Sequence, residues 1–336
     1  MKNIAIVTDV PFWQIGLGKH ARVFELFRFL LHHSRLTLYF LGEETPPFSC
    51  PSFDSSDKQQ QLKAYLEEAK HDLVIVEYLH LHWVADLFLS GTKIYLDAID
   101  LFSERAKSFA SFNRKTPAIT FEEEVELFRK FDKVMFLQKE ELERVALQMH
   151  EDKLLLCPHP MISETEIPIQ KAVKTISFLG SPSWPNIDGV QWFHDAVLPL
   201  LGDLAEKCIA NGTISRSPLS IFSPQLAKGK VFASVEEHYK SIDIAINPVL
   251  YGSGLKIKTV EALAYGIPLV TTSVGSQGLL EEAGKAFLLA DTAEEFAAAI
   301  SALAGCTGLR RRISSQARAY AQRHWTPMAC FGVLLN

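Results

Sequence analysis

One stretch of this sequence gives the clearest indication of the fold: NPVLYGSGLKIKTVEALAYGIPLVTTSVGSQGL, residues 247–279. It predicts an apolar strand, a glycine-rich loop, an amphipathic helix, a second apolar strand and a further loop. Gly252 and Gly254 lie on either side of Ser253, just before the predicted helix. Glycines at such a place let the backbone approach a ligand, and the helix start supplies free N–H groups for an anion.

Charged side chains surround this helix start. Lys256 and Lys258 stand at it, and Glu261 follows within the first turns. A cation beside exposed N–H groups suits a diphosphate, and a carboxylate can accept hydrogen bonds from ribose hydroxyls. Lysines two apart do not share a helix face, so both can face a ligand only if Lys256 still lies in the loop. The same residues would also fit a capped helix with solvated lysines and a Glu that complements the helix dipole.

Short apolar strands alternate with longer amphipathic segments on both sides of this stretch, which predicts βαβ units and an α/β fold with parallel sheets. The predicted strands are Asn3–Thr8, Leu36–Leu41, Leu73–Glu77, Lys93–Leu96, Lys133–Leu137, Leu154–Cys157, Thr175–Leu179, Ile242–Asn247, Pro268–Thr272 and Ala286–Leu288. The main predicted helices are Gly18–His32, Gln59–Lys70, Phe121–Phe131, Lys139–Met149, Asp188–Leu200, Lys258–Tyr265 and Thr292–Ala304.

The alternation stops at residues 158–174, where three prolines and mixed polar residues predict a linker. It divides the chain into two doubly wound, Rossmann-like domains at residues 1–165 and 170–318. Ligands of open α/β sheets bind beyond the carboxyl ends of the strands, so a ligand is expected in a cleft between these domains.

The loop after the first strand is a second candidate for ligand contact. Gly16 and Gly18 lie just before a predicted helix, where they could meet an anion. Gly16–Ala21 also fits the dinucleotide pattern GxGxxA, which keeps a nicotinamide-dependent dehydrogenase as an alternative. In dinucleotide folds, however, the first glycine directly follows the strand, whereas about seven residues intervene here.

Composition excludes several classes of protein. The net charge is −5 for 34 basic and 39 acidic residues, which argues against binding to bulk nucleic acid. Five widely spaced cysteines with no CxxC pair argue against a disulfide framework and a structural zinc site. No apolar run approaches the ~18 residues of a membrane span, and the first residues are interpreted as a strand rather than a signal peptide. A cytoplasmic location is therefore expected.

Residues 252–279 resemble the donor-site signature of GT-B nucleotide-sugar glycosyltransferases of family 4, the group 1 set. The pattern G-x-G-x-K-x-K-x-x-E-A-x-A-x-G-x-P-x-V-x-T is met at each position. FLGSPSWPNIDGVQWFHDAVLPLL at 178–201 is similar to the opening of that family's second domain. ARAYAQRHWTPMACF at 317–331 resembles its closing helix, which implies that residues 319–336 cross back to the first domain.

The resemblance implies a GT-B fold, with two Rossmann-like domains facing across a cleft. The first domain, residues 1–165, is then the acceptor side, and the second, residues 170–318, holds most of the donor. The resemblance assigns diphosphate contacts to the first-domain glycine loop and to the two lysines, the ribose to the Glu, and the donor sugar to the loop amides. The implied donor-binding residues are Gly16, Gly18, Ser253, Gly254, Leu255, Lys256, Lys258 and Glu261.

Two positions depart from the family pattern. Ser253 stands where the first Glu of the E-x7-E motif would fall, and Ile99 stands in the His place of D-x-H-[DN]. A polar contact to the donor sugar or acceptor would then come from Asp97 or Asp100, although either could instead cap a helix. Asp97, Asp100 and Lys256 are the predicted catalytic residues.

The resemblance implies transfer of a sugar from a UDP- or GDP-type donor to a hydroxyl of a glycan, lipid-linked glycan or small molecule, with retention of configuration. No cofactor and no metal are expected, since the chain has no Asp-x-Asp. The basic, aromatic helix at 18–35 could contact the inner face of a membrane, or pack in the core instead. Alternatives are a non-catalytic GT-B-like partner subunit and a nucleotide-sugar epimerase or phosphorylase.

Overall fold

The computed structural model describes residues 1–14, 18–53, 57–87, 89–217 and 226–335. They form two compact units. The first comprises residues 1–107, 116–159 and 330–336; the second comprises 108–115 and 160–329. The second therefore includes an eight-residue segment from the first half of the sequence.

The first unit is built on six parallel strands in the order β2-β1-β3-β4-β5-β6. The strands are β1 Asn3–Thr8, β2 Arg35–Phe40, β3 Leu73–Glu77, β4 Lys93–Asp97, β5 Lys133–Phe136 and β6 Leu154–Leu156. The α-helices of this part of the chain are α1 Gly18–His33, α2 Lys58–Ala69, α3 Phe102–Ala110, α4 Phe121–Phe128 and α5 Lys139–Ala146, with 3-10 helices at Leu79–Leu87 and Glu151–Lys153. The central strands are buried on both faces, as their unbroken apolar sequences require.

The second unit has six parallel strands in the order β12-β11-β10-β7-β8-β9. They are β7 Ile176–Leu179, β8 Cys208–Asn211, β9 Leu226–Lys228, β10 Ile244–Asn247, β11 Leu269–Thr271 and β12 Leu288–Leu289. The α-helices are α6 Trp184–Trp192, α7 Val235–Lys240, α8 Ile257–Ala264, α9 Ala293–Gly305, α10 Thr307–His324 and α11 Pro327–Phe331. A π turn at Phe193–Val197 and 3-10 turns at Leu198–Leu200, Gly202–Lys207, Thr213–Arg216, Leu280–Glu282 and Gly332–Leu335 complete the elements.

The predicted α/β class with two doubly wound parallel sheets is confirmed. β1 and β3 have the predicted bounds, and the other predicted strands differ by one or two residues at one or both ends. The predicted helix Asp188–Leu200 begins earlier, at Trp184, and passes into the π turn at Phe193. Strands β8 and β9 were not predicted, because the sequence between Leu200 and about residue 228 is only weakly patterned.

Each sheet has one place where the strand order reverses. In the first sheet β1 lies between β2 and β3, and in the second β7 lies between β8 and β10. The chain leaves two neighbouring strands there in opposite directions, which opens a crevice at their carboxyl ends. Each unit therefore has one crevice where a ligand site is expected.

One close backbone approach fixes helix α6 beside the second crevice. A Cβ added to Gly189 would lie 2.5 Å from the carbonyl oxygen of Pro248, just after β10. Only a residue without a side chain lets the helix and this strand end come so near.

We expect Gly189→Ala to lower the free energy of unfolding by about 1–3 kcal/mol, because the added methyl group must displace backbone. Gly305→Ala is the matched control, since no atom of the described residues lies within 4 Å of the Cβ it would gain. That change should be neutral or stabilise by less than about 1 kcal/mol. Urea unfolding measures both, and equal midpoints for the two variants would contradict the close approach.

Candidate active site

The second crevice is lined by the segments that follow β7 and β10. The chain leaves β7 toward α6, and it leaves β10 through the glycine-rich loop toward α8. Gly252 and Gly254 in that loop have φ of 132° and 73°, which side-chain-bearing residues rarely adopt. The predicted strand, loop and helix therefore lie where a bound ligand is expected.

Lys256 is the N-cap residue of α8, with extended backbone, so it still belongs to the loop. Its Nζ donates to the carbonyl oxygens of Ser253 at 3.1 Å and Gly254 at 2.7 Å, and to Oε1 of Gln277 at 2.7 Å. An ammonium has three donors, and these three acceptors match them. Lys256 thus draws the loop carbonyls inward and fixes the loop's shape.

Lys258 lies in the first turn of α8 and turns toward α6. Its Nζ donates to Oδ1 of Asn186, and lies 4.4 Å from the centre of the Phe178 ring. Burial, reinforced by neighbouring Lys256, lowers the pKa of Lys258 to about 7. An ammonium with so low a pKa gains strongly from a nearby anion.

Glu261 lies three residues after Lys258 on the same helix. Burial raises the pKa of this carboxyl to about 7, while the hydroxyl of Tyr239 and the charge of Lys258 act against that rise. The Tyr239 hydroxyl also donates to the carbonyl oxygen of Lys258 at 3.0 Å. One helix turn thus carries a cation and a carboxyl whose pKa values both lie near neutrality.

The other predicted donor residues follow the same loop. Gly254 is buried, and Ser253 and Leu255 are half-buried. The Ser253 and Gly254 carbonyls are held by Lys256, and Gly252 N–H donates to Oγ of Ser108 at 2.8 Å. Ser253, Gly254, Leu255, Lys256, Lys258 and Glu261 are therefore neighbours at one edge of the second sheet.

A cluster that sequence reasoning missed supports the start of this loop. Asp188 in α6 accepts from Arg114 at 2.9 and 2.6 Å and from the hydroxyl of Tyr251 at 2.5 Å. The Tyr251 ring stacks on Phe112, with centroids 4.4 Å apart. Residues 108–115 thus pack on the loop through a hydroxyl, an arginine and an aromatic ring.

The sequence indicates only one member of this cluster. Asp188 is the last residue of PNID, residues 185–188, within the 178–201 stretch that is similar to the family pattern. The N-cap residue of α6 is Ser183, three positions before Asn186. Asn186 instead accepts from Lys258 and donates to the carbonyl oxygen of Ser181 at 2.9 Å.

The glycine loop of the first unit is only partly described. Gly16 lies outside the described residues, and Gly18 is the exposed first residue of α1. The next turn of this helix enters the core, where Arg22 is fully buried.

Asp97, at the carboxyl end of β4, is also fully buried, and its Oδ2 accepts from Nε of Arg22 at 2.8 Å. Arg22 donates further to the carbonyl oxygen of Pro158 at 2.8 Å. Burial raises the pKa of Asp97, opposed by Arg22, and burial with the nearby Asp97 charge raises that of neighbouring Glu77. The structure places Asp97 beneath the surface, as the partner of a buried arginine.

Asp100 is buried and forms a two-point ion pair with Arg105 in α3, with one contact at 2.9 Å. Between the two aspartates, Ile99 has φ of 66°, and Tyr78 after β3 has φ of 74°. Such values are strained for a β-branched or bulky residue. The segments that follow β3 and β4 therefore have unusual backbone dihedral angles at the carboxyl edge of the first sheet.

Helix α1 packs against the sheet of the first unit. Val23, Leu26 and Leu30 are fully buried, whereas Phe24 and Leu31 are about half exposed, at 44% and 53%. No helix within the described ranges is both long and apolar enough to span a bilayer. Among those same residues no cluster of three or more His, Cys, Asp or Glu suited to a metal ion occurs.

One family model matches most of the second unit. Residues 173–305 match the family model described as "Glycosyl transferases group 1". This confirms the resemblance predicted from the sequence.

A protein described as "Uncharacterized 44.6 kDa protein in cps region", from Klebsiella pneumoniae, is 25% identical over 191 residues. The aligned region covers 50% of this chain and 46% of that relative, so the chain spans about half of the relative's length.

Solved structures show that the whole chain has the GT-B fold. HepE of Anabaena in complex with UDP is 14% identical, with a TM-score of 0.72, covering 99% of this chain and 98% of that one. WaaG, described as a glycosyltransferase involved in lipopolysaccharide biosynthesis, is 13% identical, with a TM-score of 0.65 and 98% coverage of both chains.

We expect Asp97→Ala to lower the free energy of unfolding by about 3 kcal/mol or more, because it leaves the Arg22 charge buried without its partner. Asp86→Ala is the control: it removes an exposed ion pair with Lys130 and should cost less than about 1 kcal/mol. Denaturant unfolding measures both. A loss at Asp97 no larger than at Asp86 would show that the buried pair does not stabilise the first unit.

Proposed function

We propose that this protein is a glycosyltransferase that moves a sugar from a nucleoside-diphosphate sugar to an acceptor hydroxyl, with retention of configuration. The observation that carries the proposal is the arrangement of Lys258 and Glu261 one turn apart behind the Gly252–Gly254 loop. The family match over residues 173–305 supports it.

The donor class is proposed from chemistry and from similar structures. A diphosphate would meet Lys258 and the free N–H groups at the start of α8, and a ribose would meet the carboxyl of Glu261. HepE has been solved with UDP and with UDP-glucose, which supports a UDP-sugar as the first donor to test. The cps-region relative and WaaG support an acceptor of polysaccharide or lipopolysaccharide type.

The chemical step requires a site that stabilises a departing diphosphate. The bond between the sugar carbon C1 and the diphosphate oxygen breaks, a bond from the acceptor oxygen to C1 forms, and negative charge grows on the diphosphate, which takes up the acceptor's hydroxyl proton. Lys258, Lys256 and the helix N–H groups would stabilise that charge from fixed positions. We propose that neither a protein nucleophile nor a metal cofactor is needed.

The structure refines the proposed roles of the aspartates. Because Asp97 is buried against Arg22, we propose that it positions the start of α1, and with it the loop that carries Gly16 and Gly18. Asp100, paired with Arg105, stays a candidate for a contact with donor sugar or acceptor. The cytoplasmic location and the membrane contact of helix α1 stay predictions.

Titration calorimetry with UDP, GDP, ADP and dTDP tests donor binding. We expect one of them to bind more tightly than inorganic phosphate, and Lys258→Ala and Glu261→Ala each to weaken that binding about tenfold or more. Lys285→Ala is the control, because this exposed lysine pairs with Glu282 and the carbonyl oxygen of Glu281 in its own turn. Equal binding of nucleotide and phosphate, or unchanged binding in both site variants, would refute the proposal.

Binding should also take up a proton near neutral pH. Lys258 has a pKa of about 7, so it is largely neutral at pH 8 and must gain a proton to meet a diphosphate. Affinity should fall from pH 7 to pH 9, by up to about tenfold per pH unit. Calorimetry in buffers of different ionisation enthalpy measures this uptake.

Two variants isolate this effect. Glu261→Gln removes the other group that titrates near pH 7, and the fall in nucleotide affinity from pH 7 to pH 9 should remain in this variant. Lys258→Arg keeps its charge throughout and should flatten the profile. A wild-type affinity that is constant from pH 7 to pH 9 would exclude Lys258 as the diphosphate cation.

Product analysis separates the proposal from the alternatives that the Ser253 and Ile99 departures keep open. Incubation of the purified chain with the bound nucleotide sugar should release the nucleoside diphosphate, faster with an acceptor glycan. Tight binding without any turnover would instead identify a non-catalytic partner subunit. Conversion to an isomeric nucleotide sugar without an acceptor would identify an epimerase.

A further inference from the structure

Residues 108–115 belong to the second unit, although the chain on either side of them, 1–107 and 116–159, belongs to the first. They are called the inserted segment below. They lie outside the stretch 173–305 that matches the family model. The donor site proposed above does not include them, yet they contact the residues at which its glycine-rich loop begins.

The end of helix α3 gives the inserted segment its shape. The N–H of Asn113 donates to the carbonyl oxygen of Ala110 at 3.0 Å, and the N–H of Arg114 donates to that of Phe109 at 2.9 Å. Asn113 itself has φ of 54°. Two such bonds around a left-handed residue form a Schellman motif, in which asparagine here takes the place that glycine usually holds. The motif ends the helix and sets the directions of the residues on either side of Asn113.

Two aromatic rings of the segment cover Tyr251, the residue before Gly252. Phe112 stacks on the Tyr251 ring with centroids 4.4 Å apart, and Phe109 meets that ring at right angles with centroids 5.1 Å apart. Tyr251 is only 1% exposed, whereas Phe112 is 39% exposed. Stacked and edge-on aromatic pairs are favourable geometries that orient both rings. The inserted segment therefore fixes the chain at the point where the loop starts.

Polar contacts tie the same segment to helix α6. Arg114 donates to both carboxylate oxygens of Asp188, at 2.9 and 2.6 Å, and its guanidinium lies 3.9 Å from the centre of the Trp184 ring. Asp188 also accepts from the hydroxyl of Tyr251. A two-point ion pair fixes orientation as well as distance. Because Gly189 lets α6 lie close to the end of β10, Arg114 is attached to an element that is itself held in place.

The glycine-rich loop is held from two sides. At its start the Gly252 N–H donates to Oγ of Ser108 at 2.8 Å, although Ser108 lies 144 positions earlier in the chain. At its end Lys256 holds the carbonyl oxygens of Ser253 and Gly254. Glycine has more conformational freedom to lose than any other residue. A loop of this composition that is held at one end only would keep much of that freedom.

We propose that the inserted segment is a positioning element of the donor site. It holds Tyr251 and the Gly252 N–H, so that the loop keeps the conformation in which its amides and Lys258 meet the diphosphate. This inference rests on the proposed function and adds residues from outside the matched stretch to it. Phe112 and Arg114 act on donor binding through the loop, not by contact with the donor.

Two substitutions at exposed Asn113 test the proposal, because none of the contacts above uses its side chain. Valine is strained at a positive φ, whereas glycine is not. The probe is whichever of UDP, GDP, ADP and dTDP the wild type binds most tightly. We expect Asn113→Val to weaken its binding about fivefold or more and Asn113→Gly to bind as the wild type does.

Substitutions of the contacting side chains give the same test independently. Phe112→Ala should weaken nucleotide binding as Asn113→Val does, and Phe112→Tyr, which keeps the ring, should restore it. Tyr65→Ala is the matched control, because Tyr65 is 37% exposed and packs on other aromatic rings of the first unit. Wild-type affinity in both Asn113→Val and Phe112→Ala overturns the proposal.

Arg114→Ala should also weaken nucleotide binding, and Arg144→Ala is its matched control. Arg144 likewise pairs with a carboxylate, that of Glu104, and lies over an aromatic ring, that of Phe121, but in the first unit. An equal loss of affinity in Arg144→Ala and Arg114→Ala would contradict a role confined to the inserted segment.

Amide hydrogen exchange of the full chain without nucleotide measures the order of the loop directly. The amides of residues 252–256 should exchange about fivefold faster or more in Asn113→Val and Arg114→Ala, because the loop opens more often. They should exchange at the wild-type rate in Asn113→Gly and Arg144→Ala. Faster exchange with unchanged nucleotide affinity would show a purely structural segment and overturns the proposal.

The two readouts separate this proposal from the proposed function. A wild type that binds nucleotide, with variants that bind it equally well, refutes the positioning role and leaves the transferase standing. A wild type that binds no nucleoside diphosphate refutes the transferase. In that case faster exchange of residues 252–256 in the variants keeps the ordering of the loop by the segment, and unchanged exchange overturns that as well.

Discussion

The direction of the strands is the constraint on which the candidate donor site depends. In each parallel sheet all strands point their carboxyl ends to one edge, and the order of the strands reverses at one place along that edge. Loops that are far apart in sequence, such as those after β7 and β10, must therefore meet there. Asn186 and Lys258 are in contact because of this geometry, although 72 positions separate them.

Much of the architecture could be predicted because buried parallel strands have a clear sequence pattern. NIAIVT at Asn3–Thr8 and LVIVE at Leu73–Glu77 are continuous apolar runs, and both strands have the predicted bounds. β8 and β9 were not predicted because the stretch that contains them, from Leu200 to about residue 228, has only a weak hydrophobic pattern. The fold followed from local pattern, whereas contacts such as that between Asp97 and Arg22 depend on side chains that tertiary structure brings together.

The candidate donor site could likewise be predicted only in part from the sequence. Lys256, Lys258 and Glu261 could be located from their spacing, because a glycine loop before a helix is a local signal. That Lys256 would hold loop carbonyls, and that Asp188 would join Arg114 to Tyr251, depends on contacts across many residues. Asp97 shows the limit most clearly, since nothing near it in sequence indicates the buried Arg22 beside it.

The hydrogen bonds of Lys256 have a consequence for the energetics of donor capture. A loop rich in glycine has many conformations when free, and ordering it upon ligand binding would reduce affinity. Here the ammonium holds two loop carbonyls and Ser108 holds the Gly252 N–H, so this conformational entropy is already lost when the chain folds. Under the proposed function, the interaction energy of an incoming nucleotide would then serve affinity and the chemical step rather than the ordering of the polypeptide.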